Sequence, residues 1–188
     1  MENKQILLTQ YVSDKFSNIK RKFTLNPYLD HLKSVASKSD SFELIAGYEI
    51  GLLHDLYEDT DTQPNECIEA LCNMGYNKYH ALYISNSVLE LTNPYTRKNK
   101  PLLSSSKRDK LLLNFLENIS PNSQSVKYCD IIDNCTNVAQ ADYQFAKFYL
   151  PKKSKQLDVM TKGNLHLKKF AKETIENQTS LLKKQKNK

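Results

Sequence analysis

The sequence predicts an all-α protein folded as a single-domain helical bundle. Apolar residues recur along the chain at the three- and four-residue spacing of helices. Only 4 of the 188 residues are glycine, and the 6 prolines act as breaks between helical patterns. Hydrophobic residues make up 39% and charged residues 26%, which is typical of a globular domain. A chain of this length buries a core without disulfide or metal cross-links.

The first two helices are expected over residues 4–23 and from Pro27 onward. The residues expected to face the core in the first helix are Ile6, Leu7, Tyr11, Phe16 and Ile19. Its end carries Arg21 and Lys22, which either complement the helix macrodipole or bind an anionic substrate. The second helix carries His31 among apolar residues at helical spacing, where a histidine is either a hydrogen-bonded core residue or a ligand.

A third helix is expected over residues 42–57. Asp40 followed by Glu43 is a helix-start pattern, and the residues that follow are mainly apolar. This helix ends in the segment Gly51-Leu-Leu-His-Asp-Leu-Tyr-Glu-Asp-Thr-Asp61, and Pro64 indicates a break just afterwards.

The His54-Asp55 pair directly follows the core-facing Leu-Leu pair of that segment. Residues four apart share a helix face, so His54 is expected to lie over Glu58. Asp55 is likewise expected over Asp59. Because neighbours on a helix point about 100° apart, His54 and Asp55 can bind one ion only where the helix ends or their side chains bend. The alternative is a solvated acidic helix end.

Further helices are expected over residues 64–74, 78–91 and 107–118, from Pro121, from Pro151 and over 165–182, with a long loop over 92–106. Lys107 and Arg108 begin one of these helices, as either an exposed basic turn or a contact to phosphate. The helix from Pro121 carries Asp130 and Asn134, which share a face because they are four apart.

Three separate segments supply a candidate metal site, whose four ligands are His31, His54, Asp55 and Asp130. A buried carboxylate is costly unless it is paired or bound to metal, so Asp130 is either a paired core acid or a ligand. Two imidazoles and two carboxylates without a thiolate favour Mn²⁺ or Fe²⁺, with Mg²⁺ or Zn²⁺ as alternatives set by availability.

The order His31, His54-Asp55, Asp130 resembles that of the HD-domain phosphohydrolase superfamily. Within it, the segment from Leu52 to Asp61 is similar to the RelA/SpoT-type (p)ppGpp hydrolase domain, which continues its His-Asp with Glu-Asp. Two further matches are the Arg-Lys, Pro-Tyr, His order of residues 21–31 and the Lys-x-x-Asp-x-x-x-Asn pattern of residues 127–134. The family usually has Pro where Leu32 stands. The resemblance covers about residues 15–160.

The resemblance implies an HD-type domain over residues 1–162, followed by a Lys-rich C-terminal helix or tail over 163–188. It implies hydrolysis of the 3′-pyrophosphate of ppGpp or pppGpp, giving GDP or GTP and pyrophosphate, by a hydrolase without synthetase or regulatory domains. Glu58 and Asp59 would position or deprotonate the nucleophile or assist the leaving group.

The same resemblance assigns contacts to a guanosine nucleotide substrate. Arg21 and Lys22 would hold the guanosine or its phosphates, since Arg binds phosphate bidentately. Lys107 and Arg108 would add cations, and Asn134 would bind a ribose hydroxyl or a phosphate oxygen. Tyr149 either stacks on the nucleobase or belongs to the core.

Two other functions are open. The chain could be an HD phosphohydrolase for a different nucleotide, such as a dNTP, an NTP or NADPH, because the same metal set serves all of these. It could also be an antitoxin-like partner of an alarmone-type synthetase, although the presence of all four ligands argues against a dead site. A substrate panel and a metal-binding assay separate these functions.

The net charge of +6 does not indicate specific nucleic-acid binding. Residues 152–188 hold 11 Lys and three acidic residues, so this segment carries +8 and the remainder −2. Such a run is usually a solvated helix face, and Phe170 is its one aromatic residue, too few for stacking on single strands. The tail leaves weak RNA association open, and the last helix is expected either to lie on the domain or to pack on a second copy in a homo-oligomer.

No stretch approaches the ~20 apolar residues that span a bilayer, and the N-terminus lacks the apolar core of a signal peptide. We therefore expect a cytoplasmic protein without a membrane partner. The four cysteines, 67, 72, 129 and 135, lack the spacing of a zinc site and are expected to be reduced core thiols.

Overall fold

The structure, a computed structural model, describes residues 3–21 and 26–186, except the side chain of residue 186. Its helices are α1 Asn3–Lys15, α2 Tyr28–Ser41, α3 Gly47–Leu53, α4 Leu56–Asp59, α5 Pro64–Asn73, α6 Lys78–Leu91, α7 Ser105–Asn118, α8 Pro121–Cys135, α9 Val138–Ala141, α10 Tyr143–Val159 and α11 Leu165–Lys186. Within these ranges the extended backbone pairs only as an isolated antiparallel bridge between Lys20 and Pro27. The all-α prediction is confirmed. No helix of the described chain combines the length and apolarity that crossing a bilayer requires.

The chain divides into two compact units, Met1–Thr92 and Asn93–Lys188. In the first unit, α3 packs against α1, α2 and α6, and α5 packs against α6. In the second unit, α11 packs along α8, α9 and α10. The predicted division at residue 162 stays a prediction.

Two glycines on one face of α3 allow close packing against α2. A Cβ on Gly51 would lie 2.7 Å from the Cα of Ala36, and a Cβ on Gly47 would lie 2.8 Å from the carbonyl oxygen of Ser39. Because the glycines are four apart, they face the same way. The two helix backbones therefore come closer than larger side chains would permit, and α2 is held against the helix that leads to His54.

The first helix differs from the prediction in both its length and its buried face. It ends at Lys15, and Leu8 and Val12 are buried, whereas Ile6 and Leu7 are 53% and 45% exposed. Beyond Lys15 the Ser17 hydroxyl donates to the Asp14 carbonyl oxygen, which competes with helical hydrogen bonding. The predicted helix over residues 16–23 is therefore wrong as far as residue 21, and residues 22–23 lie outside the described part.

The predicted continuous helix over residues 42–57 is also wrong. The chain leaves α2 at Phe42, and Glu43 and Ala46 adopt left-handed φ values of 53° and 49°. This conformation is unfavourable for side chains with a Cβ and cannot continue a right-handed helix. A first helix therefore starts at Gly47, and a second, α4, starts after Asp55.

The helices predicted from Pro64, Lys78 and Pro121 are confirmed. The break predicted at Pro151 is wrong, because α10 continues through this proline. The Asp142 side chain caps α10 by accepting from the Phe145 N–H at 2.9 Å. Buried Leu150 and Leu157 flank the proline. An interior proline costs roughly 3 kcal/mol, and the burial of these apolar side chains contributes in the opposite direction.

Buried polar groups of α8 hold the connection between α10 and α11. The fully buried Gln124 side chain donates to the Leu116 carbonyl oxygen at 3.1 Å and accepts from the Lys162 N–H at 2.7 Å. The Tyr128 hydroxyl donates to the Met160 carbonyl oxygen at 2.6 Å. These contacts fix α8, which carries Asp130, within the second unit.

Candidate metal centre

Two buried imidazoles face each other across the α2–α3 contact. His31 lies on the buried face of α2, His54 follows the last residue of α3, and each is 1% exposed. Their ring centroids are 5.0 Å apart at an interplanar angle of 75°. The close approach at Gly51 thus places two nitrogen donors in one buried region of the first unit.

The backbone sets the tautomer of His54. Its Nδ1 lies 2.8 Å from the carbonyl oxygen of Gly51. A carbonyl oxygen only accepts hydrogen bonds, so Nδ1 carries the proton and a neutral ring presents its lone pair at Nε2. A backbone partner on the other ring nitrogen is the usual support of a metal-binding histidine.

Asp55 completes this group because the helix breaks at the His54-Asp55 pair. Asp55 precedes α4 with φ −103° and ψ 5°, so it does not continue the α3 spiral. Its Oδ2 lies 2.9 Å from His54 Nε2 and 3.7 Å from His31 Nε2. The pair therefore lies at a helix end, where the sequence analysis expected two neighbours to be able to share one ion, and their binding of an ion stays a prediction.

These distances suit a shared cation. A lone pair on His54 Nε2 and a carboxylate oxygen at 2.9 Å repel each other unless a proton or a cation lies between them. Two ligand atoms at about 2.1 Å from a metal, at right angles, are about 3 Å apart. The imidazole and carboxylate atoms therefore fit the donor set expected of a divalent cation.

Asp130 has its own supporting contacts in the second unit. It is 3% exposed on α8, and Lys127 Nζ lies 2.9 Å from its Oδ2. The Asn134 side-chain amide donates to its Oδ1. The predicted shared face of Asp130 and Asn134 is thus present, and the amide is engaged with the carboxylate.

His31, His54 and Asp130 form a group that could hold a metal ion. All three side chains are buried and each offers one ligand atom, with His31 and His54 in the first unit and Asp130 in the second. The sequence predicted these three residues together with Asp55 as ligands, and both the complete ligand set and the identity of the metal stay predictions.

The predicted catalytic carboxylates lie on the short helix α4. Glu58 and Asp59 are exposed, and their backbone N–H groups donate to the Asp55 carbonyl oxygen at 3.2 and 3.0 Å. These hydrogen bonds hold the backbone of both residues within one helical turn of Asp55. Their catalytic role stays a prediction.

The predicted substrate contacts have different surroundings. Arg21 is half-buried, and its backbone N–H donates to the Asn26 carbonyl oxygen at 3.0 Å. Lys22 lies outside the described residues. Lys107 is exposed in the first turn of α7, and the Arg108 guanidinium donates to the Leu103 carbonyl oxygen. That contact uses one of the guanidinium N–H donors of Arg108, which the sequence analysis expected to bind phosphate.

Tyr149 is half-buried on α10 rather than part of the buried core. Its ring stacks on Phe145 with centroids 4.7 Å apart, and Lys153 Nζ lies 5.1 Å from its ring centroid. One aromatic face therefore has a neighbour already, and stacking on a nucleobase stays a prediction.

Two supporting residues have no assigned role in the sequence reading. Tyr28 donates a hydrogen bond to Asp55, and Lys127 pairs with Asp130. The three-residue spacing of Lys127 and Asp130 on a predicted helix is a signal that finds the second contact. Tyr28 and Asp55 are 27 residues apart, and no local pattern links them.

No protein-family model matches the sequence, and the curated protein sequences contain no match. Among solved structures, the chain is similar to a metazoan ortholog of SpoT, which is described as hydrolysing ppGpp and playing a role in starvation responses. The TM-score is 0.75 at 19% sequence identity, over 94% of this chain and 96% of that one. This likeness shows the fold over nearly the full length of both chains, and the predicted all-helical fold is confirmed. Membership of the HD superfamily stays a prediction.

Proposed function

We propose that the chain is a metal-dependent phosphohydrolase that removes the 3′-pyrophosphate from ppGpp or pppGpp. The products are GDP or GTP and pyrophosphate. The observation that carries this proposal is the convergence of His31 Nε2 and His54 Nε2 on Asp55 Oδ2, in the fold of a protein described as hydrolysing ppGpp. The sequence motif reaches the same activity independently of that likeness.

The proposed metal ligands are His31, His54, Asp55 and Asp130. The two buried imidazoles, the buried carboxylate of Asp130 and the partly exposed one of Asp55 form a mixed nitrogen and oxygen set, which suits Mn²⁺ or Fe²⁺ and also accommodates Mg²⁺ or Zn²⁺. When bound, such a cation neutralises charge on a phosphate and lowers the pKa of water. We take Mn²⁺ as the cation for the experiments below.

Hydrogen bonds and an ion pair within the protein would hold the proposed ligands in position for a cation. The Gly51 carbonyl holds His54 in the tautomer that presents Nε2, and Lys127 and Asn134 hold both oxygens of Asp130. A ligand fixed by hydrogen bonds requires little reorganisation when an ion binds. The site is thus built before any substrate arrives.

The exposed carboxylates of Glu58 and Asp59 would move protons during hydrolysis. Both residues follow Asp55 and lie on α4. Their backbone N–H groups donate to the Asp55 carbonyl oxygen, and these two hydrogen bonds hold α4 next to Asp55. A carboxylate can take a proton from the attacking water or give one to the leaving group when it reaches within hydrogen-bond distance. Their exposure leaves them accessible to water and to a nucleotide.

Six residues are proposed to bind the guanosine nucleotide: Arg21, Lys22, Lys107, Arg108, Asn134 and Tyr149. Guanidinium and ammonium groups attract phosphate, and Arg binds it through two parallel hydrogen bonds. Arg108 has five N–H donors, so its contact to Leu103 leaves others for an anion. The amide of Asn134 would contact ribose or phosphate, and Tyr149 would contact the base.

The test is product analysis by anion exchange. The protein is incubated with ppGpp, with and without Mn²⁺, beside the double variant His54→Ala, Asp55→Ala. We expect Mn²⁺-dependent formation of GDP and pyrophosphate in the wild type and none in the variant. Intact ppGpp with a Mn²⁺-loaded protein contradicts the substrate assignment.

A panel with a dNTP, an NTP and NADPH separates the remaining activities. Metal-dependent cleavage of one of these with ppGpp intact assigns another HD-type phosphohydrolase. A protein that binds Mn²⁺ and cleaves none of them favours a binding protein, such as the antitoxin-like partner of a synthetase. A protein that binds no divalent metal overturns the metal site.

A further inference from the structure

We infer that Tyr28 is a positioning residue that orients the Asp55 carboxylate for metal binding. This inference rests on the proposed function, because it assigns a role toward the same metal site. The role assigned to Tyr28 is exerted through Asp55, to which its hydroxyl donates, and not on the substrate directly.

The first observation is a directed hydrogen bond. The Tyr28 hydroxyl donates to Asp55 Oδ2 at 2.8 Å. The same oxygen faces His54 Nε2 at 2.9 Å and His31 Nε2 at 3.7 Å. A phenol has one proton to donate, and a carboxylate only accepts, so the direction of this bond is unambiguous at neutral pH.

The second observation is that the Tyr28 ring is held on two sides. It stacks on Phe16 with centroids 5.4 Å apart at 8°, and its edge meets the His31 ring with centroids 5.5 Å apart at 79°. The Tyr28 backbone N–H donates to the Ile19 carbonyl oxygen at 3.2 Å. The ring contacts therefore restrict the rotamers of the Tyr28 side chain and hold its hydroxyl in one position.

The hydrogen bond from Tyr28 orients the Asp55 carboxylate. Asp55 lies at a helix break, where no regular backbone geometry fixes its side chain. A hydrogen bond to the carboxylate of a metal ligand lowers its freedom to rotate away from the imidazoles. Removing such a supporting partner typically weakens metal binding by about 10- to 100-fold.

The experiment is a Mn²⁺ titration of the full chain, with free Mn²⁺ followed by electron paramagnetic resonance. Tyr28→Phe keeps the ring and its stack and removes the hydroxyl. We expect the Mn²⁺ Kd to rise by about 10-fold or more. We also expect thermal unfolding of the metal-free variant to stay close to that of the wild type.

Tyr48→Phe is the matched control. Its hydroxyl lies 3.0 Å from Thr9 Oγ1 in the same unit, so this variant also removes one tyrosine hydroxyl with a hydrogen-bond partner. This variant should bind Mn²⁺ as the wild type does. A Tyr28→4-aminophenylalanine variant retains a hydrogen-bond donor on the ring and should recover most of the lost affinity.

Each outcome decides the inference. An unchanged Kd in Tyr28→Phe, an equal loss in Tyr48→Phe, or no recovery with the amino analogue overturns it and leaves the proposed function intact. If the wild type binds no Mn²⁺, the metal site itself fails and the role of Tyr28 fails with it. Weakened binding in Tyr28→Phe alone, with recovery by the analogue, supports it.

Discussion

The charge of Asp130 is balanced within its own helix. Lys127 lies one turn before it, with its side chain 13% exposed, and the two groups are 2.9 Å apart. Asn134 donates to the other carboxylate oxygen from one turn later. A carboxylate this deeply buried needs both partners in the absence of an ion, because an unpaired buried charge is strongly destabilising.

We predict that Lys127→Met lowers the free energy of unfolding by about 3 kcal/mol in metal-free protein, because it removes the ammonium group that pairs with the buried Asp130 carboxylate. Urea unfolding followed by circular dichroism measures this loss. Lys152→Met is the control, because its ion pair with Asp109 is exposed on both sides and should contribute less than about 1 kcal/mol. Equal losses of unfolding free energy in the two variants would show that the ion pair of Lys127 with Asp130 is as exposed to solvent as that of Lys152 with Asp109.

At the scale of elements, the contact of α2 with α3 decides where the two imidazoles lie. We predict that Gly51→Ala destabilises the protein by about 1–3 kcal/mol, the usual cost of overpacking. Its Cβ would lie 2.7 Å from the Cα and 2.9 Å from the N of Ala36, and these backbone atoms cannot move independently of α2. The displaced helices should also separate His31 from His54 and weaken Mn²⁺ binding.

Gly75→Ala is the matched control for Gly51→Ala. Gly75 has a φ of 92°, so an alanine is strained there, but its Cβ would approach only the end of the Lys4 side chain. Thermal unfolding should show a loss of stability in both variants, whereas a Mn²⁺ titration should show weakened binding in Gly51→Ala alone. Unchanged Mn²⁺ affinity in Gly51→Ala would show that the close contact between α2 and α3 is not needed for Mn²⁺ binding.

The elements also show where local sequence patterns stop being informative. The start of α5 and α8 at prolines, with Ser120 capping α8 at Ser123 N–H, follows from local chemistry and was predictable. The left-handed residues Glu43 and Ala46 have no such signal, since neither is a residue type that favours that conformation. These two residues lie in the turn between α2 and α3, where Gly47 comes close to Ser39, and a helix-start pattern carries no information on that contact.

For the site, the sequence motif predicted the residues that could hold a metal ion, because divalent cations select imidazole and carboxylate groups. It did not predict what supports them. The bond from Tyr28 to Asp55 joins residues 27 apart, and the Gly51 carbonyl reaches His54 only because α3 ends there. These contacts depend on the packed structure rather than on spacing.

At the scale of the whole molecule, buried acidic groups set the response to alkaline pH. Burial raises the pKa of Tyr11 and Tyr128 to about 12 and that of Cys135 to about 12, from ordinary values of 10.0 and 9.0. The unfolded chain therefore releases these protons at lower pH than the folded protein does. The corresponding stability is fully present below about pH 9 and is lost as pH rises toward 12.

Urea unfolding at about pH 8, 10 and 11 should thus show a declining free energy of unfolding. Tyr128→Phe should reduce part of the decline above pH 10, whereas Tyr79→Phe, at a position 86% exposed, should leave the profile unchanged. Tyr128→Phe should also be less stable at pH 8, since it loses the hydrogen bond to Met160. A flat profile between pH 8 and 11 would contradict the assignment.

The chain shares a fold with the metazoan SpoT ortholog at only 19% sequence identity. A helical bundle tolerates such divergence, because each core position needs an apolar side chain of suitable size rather than one particular residue. The metal group is less tolerant, since cation chemistry selects the residue type itself. This difference explains why a short motif indicates the chemistry while the rest of the sequence indicates only helices.

The most direct test of the central claim is the Mn²⁺ dependence of ppGpp loss in two single histidine variants. His54→Ala removes a buried imidazole of the metal group, whereas His166→Ala removes an exposed one at the start of α11. We predict that wild type and His166→Ala release GDP and pyrophosphate at similar rates that rise with Mn²⁺, and that His54→Ala releases neither. Equal rates in both variants, or rates independent of Mn²⁺ in the wild type, would contradict the account.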